Sequence, residues 1–383
     1  MSSLYQQSLL VIKDGQSASG AYVASPNFPT YQFCWLRDGS FTAHAMDTAG
    51  EYASAEAFFR WVGSTITRYG HKLADVQVKI EKGLPIGKDD PLHTRFTLDG
   101  KETLVDSEWG NFQVDGYGTW LWALAEHVRR SSNTVLLKEL SQPIDITLRY
   151  LELVWTLPNY DCWEEFPAFL HPYSLATVYG GLAAVDGLIR DGLFETRAVD
   201  VKRLAGQVHD FLQKYAVVDG LFVKHIWPAK DGEEPRPYIN KSRGVDASLL
   251  GLAIPYRVFP LDHPLVLNTI AAIEKDLHRP NGGVYRYRED VYYGGGEWIL
   301  LAAWLGWYYA QSGDLTRAEE MLRWIESQAD ENGHLAEQMN EHVLAPEEYE
   351  PWVKKWGPVA KPLLWSHAMY VILTNAVKQG KAG

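Results

Sequence analysis

Hydrophobic and polar positions along this chain come in a paired texture. The segment EWILLAAWLGWYYA is apolar on every side, and the DLTRAEEMLRWIESQAD that follows keeps Leu315, Ala318, Leu322 and Ile325 in one stripe among charges. The first pattern belongs to a helix buried all round, the second to a helix with one face in water. Asp314 stands where a side-chain oxygen would cap the free N–H groups of the second helix. The same texture recurs in SLATVYGGLAAVDGLI and then AVDVKRLAGQVHDFLQKY, whose Val201, Leu204, Val208, Phe211, Leu212 and Tyr215 keep helical spacing. Less regular pairs are 38–49 with 51–69, 116–130 with 134–155, 245–257 with 263–277, and 361–379 with 2–13.

Six inner and six outer helices predict an all-α fold, a closed (α/α)6 barrel whose inner ring buries its apolar faces while outer helices cover their backs. An open α-solenoid is the alternative. No Pro/Ser/Gly-rich linker interrupts the pattern, so residues 1–383 read as a single catalytic domain. The connections 14–37, 70–112, 156–172, 218–244, 278–296 and 329–360 are long and hold much of the Trp, Tyr, Gly and carboxylate content. Loops of that length in a compact domain usually carry function. Within 70–112, QVKIEK and HTRFTLDG suggest a short strand pair.

Composition narrows the partner. Hydrophobic residues make up 46% and charged ones 22% of the 383 residues, which excludes a disordered chain. A formal charge of -12 argues against nucleic acid and anionic membrane as partners and favours a small neutral molecule. The longest apolar stretch, Trp298 to Ala310, is too short to span a bilayer, and the start MSSLYQQSLLVIKDG lacks a basic region for export, so a cytoplasmic location is expected. Cys34 and Cys162 form no CxxC and read as buried thiols. The 15 Trp, 21 Tyr and 13 Phe exceed what packing alone requires.

Candidate chemistry lies in the loops. YDCWEEFP sets Asp161, Glu164 and Glu165 beside Trp163, an arrangement that raises a carboxyl's pKa through desolvation and like-charge repulsion. Glu337, in NGHLAEQMN, also falls between helices. Two such carboxylates on one rim form the pair that hydrolyses a glycosidic bond, although each alone reads as a solvated surface residue. FCWLRDGSF puts Arg37 and Asp38 next to Trp35, a donor–acceptor set suited to adjacent hydroxyls or to a local salt bridge. GGVYRYREDVYYGGGEW repeats the theme with Arg286, Tyr287, Asp290, Tyr292, Tyr293 and Trp298, and its three glycines suit a close-approach turn. HExxH, zinc-type Cys/His spacing, GxSxG and Walker loops are missing from the sequence, so neither a metal nor a cofactor is expected. His44, His225 and His367 read as packing or hydrogen-bonding residues and not as ligands.

In order, CWLRDGSF, YDCWEE, YRYREDVYYGGGEW, HLAEQ and PLLWSHAMYV resemble the successive motifs of glycoside hydrolase family 15, the glucoamylase and glucodextranase family, from about residue 20 to 375. The resemblance implies Glu164 as general acid, Glu337 as general base and an inverting reaction that releases β-D-glucose from a non-reducing end. It implies further that Arg37 and Asp38 hold the terminal glucose, that Arg286 assists, that Glu165 serves the neighbouring subsite, and that Trp35, Trp163, Tyr287, Tyr292 and Trp298 form the pocket. The chain has room for neither the β-sandwich of bacterial members nor a starch-binding domain, which favours short α-1,6 substrates such as isomaltose. Maltose-type α-1,4 linkages and trehalose are the alternatives within the family. Outside it stand a non-catalytic sugar-binding protein, an unsaturated glucuronyl hydrolase and a sugar epimerase.

Overall fold

The structure is a computed structural model that describes residues 3–103, 110–230, 232–239 and 244–382. Parts of the connections 70–112 and 218–244, and residue 2 of the first expected helix, lie outside the described residues.

The helices are α1 (Ser3–Asp14), α2 (Leu36–Thr48), α3 (Tyr52–Tyr69), α4 (Lys72–Glu81), α5 (Asp115–Ser131), α6 (Thr134–Glu139) and α7 (Ser141–Val154). They continue with α8 (Pro172–Arg190), α9 (Val201–Tyr215), α10 (Pro264–Asp276), α11 (Ile299–Gln311), α12 (Leu315–Ser327), α13 (Tyr349–Trp356) and α14 (Leu364–Ala382). Helices α2, α5 and α8, the 3-10 segment Ala247–Leu252, α11 and α14 touch in succession, and α14 returns to α2, so the inner ring is closed. That closure is the (α/α)6 barrel of the sequence pattern, and it excludes the open solenoid.

Patterning explains who sits where. Every residue of α11 from Ile299 to Ala310 is buried, whereas its outer partner α12 buries only Ala318, Met321 and Ile325. Asp314 caps α12 by accepting the Arg317 N–H at 3.1 Å, and Asp200 caps α9 through the Arg203 N–H at 3.0 Å. The expected outer helix 134–155 breaks at Leu140 into α6 and α7. Both cysteines are free and buried. Among the described residues no helix is long and apolar enough to cross a membrane.

Two expectations need correction. Residues 245–257 do not form an α-helix: the inner position is filled by the six-residue 3-10 segment Ala247–Leu252, capped by Asp246. Pro255 has no N–H to donate and disfavours a helical residue before it, and the Ile254 carbonyl is bonded instead by the Trp304 indole at 2.7 Å. QVKIEK is not a strand but lies in α4 and its C-cap.

The short strands are β1 (Cys34–Trp35), β2 (Arg95–Phe96), β3 (Val217–Val218), β4 (Leu221–Phe222), β5 (His225–Trp227), β6 (Arg236–Tyr238), β7 (Glu297–Trp298) and β8 (Gln338–Met339). They pair antiparallel as β1–β2, β3–β4, β5–β6 and β7–β8. The strand within HTRFTLDG thus pairs with Cys34–Trp35 and not with QVKIEK. Two pairings matter for function: β1 and β7 lead directly into inner helices α2 and α11, and each is stapled to a distant loop.

Candidate active site

A cavity of about 760 Å³ opens where the inner helices α2 and α14 begin and where β7 enters α11, within the range of small-molecule pockets. Trp35, Arg37, Asp38, Trp163, Glu164, Glu165, Arg286, Tyr292, Trp298 and Glu337 all line it. Residues from four separate loops therefore converge, as their shared polar and aromatic character suggested. Tyr287 does not reach the wall; it is buried behind it and its hydroxyl donates to Glu165 Oε2 at 2.5 Å.

Glu164 sits on a tight turn, with its backbone in the left-handed region at φ 66°. One carboxylate oxygen, Oε1, accepts the Trp35 indole N–H, while Oε2 is buried without a hydrogen-bond partner. The indole against the acid is thus Trp35 and not its sequence neighbour Trp163, whose N–H goes to Asp246 at 3.2 Å. Burial pushes the Glu164 carboxyl from the ordinary 4.5 up to about 7, with Arg37, Arg95 and the Trp35 bond opposing. Desolvation is the cause; the charges that act on Glu164 are the two arginines, which lower its pKa, and not the like-charge repulsion expected from the acidic cluster.

Glu337 reaches the cavity from the residue before β8, which pairs Gln338 with Trp298. Its Oε1 accepts the Tyr31 hydroxyl at 3.0 Å, Tyr31 and Tyr292 share a hydroxyl–hydroxyl bond of 2.8 Å, and Oε2 is buried without a partner. Burial raises this carboxyl also to about 7, opposed by Tyr31 and Arg286. Both glutamates therefore share one arrangement, one oxygen tied down and one buried without a hydrogen-bond partner, at a pKa near neutrality.

The first turn of α2 supplies Arg37 and Asp38. The Arg37 guanidinium is held by Asp115 at 2.9 Å and Gln113 at 3.2 Å. Its Nε lies 3.2 Å from Asp38 Oδ2 in an ion pair, and neither of these two buried atoms makes a well-aligned hydrogen bond. Arg286 is clamped by both oxygens of Asp290, and its guanidinium lies 5.1 to 5.3 Å from the ring centres of Trp163, Tyr292 and Trp298. Glycines 294–296 form the close turn behind this wall: a Cβ on Gly296 would meet the Met339 carbonyl at 2.1 Å. Gly294 and Gly295 also have positive φ.

Several wall residues carried no signal of their own in the sequence. Tyr31 comes from the 3-10 turn Pro29–Tyr31, Arg95 from β2 lies over the Trp35 ring at 5.2 Å, and Trp352, Lys355 and Trp356 come from α13. Trp365, inside the recognised PLLWSHAMYV motif, stands under Arg37 at 5.1 Å. A Tyr and two Trp in the connections between barrel helices are indistinguishable from packing residues until the fold brings them to one cavity.

Comparison with known proteins gives the family. The family model described as Glycosyl hydrolases family 15 matches residues 2–375. The isomaltose glucohydrolase of Kribbella flavida is 39% identical over 375 residues, covering 97% of this chain and 92% of that protein. A solved glycosidase, as a glutamate-to-alanine variant in complex with glucose, has a TM-score of 0.88 at 38% identity and covers 98% of this chain and 96% of its own. A bacterial glucoamylase in complex with acarbose, with a TM-score of 0.72 at 20% identity over 99% of this chain and 56% of its own, shares the fold. The chain belongs to glycosyl hydrolases family 15 and is a glycoside hydrolase.

Proposed function

We propose that the protein is an exo-acting, inverting α-glucoside hydrolase that releases β-D-glucose from the non-reducing end of short α-gluco-oligosaccharides, with isomaltose as the preferred substrate. The observation that carries this reading is the pair of buried glutamates lining one cavity, each with an anchored and an unpaired oxygen. Glu164, protonated, delivers its proton to the glycosidic oxygen as the bond to the anomeric carbon breaks. Glu337, ionised, takes a proton from the water that attacks the opposite face, so configuration inverts. Arg37 and Asp38 hold hydroxyls of the terminal glucose, Trp35, Trp163, Tyr292 and Trp298 wall the ring, and Arg286 and Glu165 stand toward the departing sugar. Proton and base both come from side chains, so the chemistry draws on neither metal nor cofactor. The likeness to an isomaltose glucohydrolase over nearly the full length supports the α-1,6 preference.

The test is a panel of isomaltose, maltose, kojibiose, nigerose and trehalose with NMR of the first product. Isomaltose is expected to give the highest kcat/KM and β-glucose to appear before mutarotation. Initial α-glucose would exclude inversion, and a higher kcat/KM on maltose or trehalose would exclude the linkage.

A further inference from the structure

Beneath the loop that carries Glu164 lies a buried charge cluster that takes no direct part in the proposed chemistry. Asp161 Oδ1 accepts the backbone N–H groups of Trp163 at 3.0 Å and Glu165 at 2.8 Å, the two residues flanking Glu164. The Asp161 carbonyl accepts the Glu164 N–H at 2.9 Å. Asp246 accepts the Trp163 indole N–H with both oxygens at 3.2 Å and the Ser248 N–H at 2.8 Å. Two buried carboxylates thus seat the turn. The cation between them is Lys224, from the segment joining β4 to β5: its Nζ lies 2.9 Å from Asp246 Oδ2 and 3.8 Å from Asp161 Oδ2. The same Nζ sits 3.4 Å from the centre of the Tyr287 ring, whose hydroxyl holds Glu165.

We propose that Lys224 is a positioning residue for proton donation, holding Asp161 and Asp246 together so that the turn presents Glu164 to the glycosidic oxygen. The proposal rests on the reading of Glu164 as the acid. Glu164 adopts its left-handed backbone only because its neighbours are tied down, since that conformation costs a non-glycine residue about 1–2 kcal/mol. Without the ammonium, two buried like charges face each other, and either one takes up a proton or they separate. Both responses weaken the bonds to the N–H groups of residues 163 and 165. A shift of about 1 Å at a reacting group costs on the order of 10²-fold in rate. Lys224 does not line the cavity, so its removal takes no contact from the sugar.

The test separates proton donation from everything else by the leaving group. Fluoride departs with little proton assistance, so α-glucosyl fluoride bypasses the acid, whereas isomaltose needs it. Lys224→Met is expected to lower kcat on isomaltose by about 10²-fold, with KM within about threefold and turnover of α-glucosyl fluoride within about threefold of wild type. Lys224→Arg, which keeps the charge, is expected to recover isomaltose turnover to within about tenfold of wild type. Equal losses on both substrates, or no loss on either, would overturn the proposal, because a general structural defect does not discriminate leaving groups. If Lys224→Met gives no folded protein, Lys224→Gln is read by the same ratio. Glu164→Gln, run in parallel, is expected to lose isomaltose and keep the fluoride. If it keeps isomaltose, the acid assignment itself fails; if it behaves as expected while Lys224→Met matches wild type, only the role of Lys224 fails.

Discussion

Glu337 and Glu164 have been moved to the same point on the pH scale by the same force, loss of water, yet the proposed chemistry asks for opposite charge states. A base must be ionised and an acid protonated, so kcat/KM for isomaltose is expected to fall on both sides of about pH 7. The two apparent values belong to the pair. A rate still rising at pH 9 would contradict an acid that titrates near neutrality. The same shift has a stability sign. Between the ordinary 4.5 and about 7 the folded state holds a proton on Glu337 that the unfolded state has lost, so wild-type stability declines as pH rises through that window. Glu337→Gln removes the charge that burial penalises. It is expected to stabilise the fold above pH 7 by on the order of 1–3 kcal/mol, with the gain gone below about pH 4.5, while turnover drops by orders of magnitude. Denaturation midpoints at pH 8 and pH 4 check the sign.

Inner helices pack by bare backbone where the sequence offers glycine. A Cβ on Gly118 in α5 would stand 2.1 Å from the Thr177 carbonyl of α8, and one on Gly181 would meet the Gly118 carbonyl at 2.5 Å. Gly118→Ala is therefore expected to force the two helices apart and destabilise by roughly 1–3 kcal/mol. Gly206→Ala, on the outer helix α9 with nothing within 4 Å, is expected to stabilise by about 0.5–1 kcal/mol. Urea midpoints of both variants test the contrast, and equal effects would mean that the α5–α8 approach is not tight. Elements were legible where periodicity was strong: α11 and α12, and α8 and α9, emerged with their inner and outer roles. The pattern failed at 245–257, because a short apolar run reads alike as helix or turn and only Pro255 hinted otherwise. Glu164, Glu337, Arg37 and Arg286 were legible as motif residues. Tyr31, Trp352 and Trp356 were not, because what recruits them is the folding of separate loops over one mouth. Lys224 was equally hidden, since a lone Lys between strands reads as surface until its two aspartates are seen.

The last inner helix, α14, is covered from outside by the first helix, α1, and that seam reaches the site. Tyr5 of α1 donates to Asn375 of α14 at 3.1 Å, and Ser8 bonds His367 Nδ1 at 2.9 Å. His367 Nε2 in turn accepts the Leu335 N–H at 3.0 Å, two residues before Glu337. The Ala24 carbonyl, on the loop leading to Tyr31, accepts the Leu364 N–H at 3.0 Å, and the Leu335 carbonyl accepts that of Leu363 at 3.0 Å. Glu337, the proposed base, and Tyr31, which donates to it, are thus carried by segments fastened to the start of α14, and α1 packs on α14 with Tyr5 and Ser8 bonded to it. Removing residues 1–14 would expose the apolar face of α14 beneath them and free one end of the Ser8–His367–Leu335 chain. The truncated protein is expected to bind a hydrophobic dye, unfold at lower urea and lose isomaltose turnover together, because seam and site share the same bonds. Tyr5→Phe removes the hydrogen bond to Asn375 and keeps the packing, so it is expected to cost only about 0.5–1.5 kcal/mol and leave kcat unchanged. If the truncated protein instead kept wild-type turnover, the inner ring alone would suffice to hold Glu337, and α1 would be a cover without a part in setting the site.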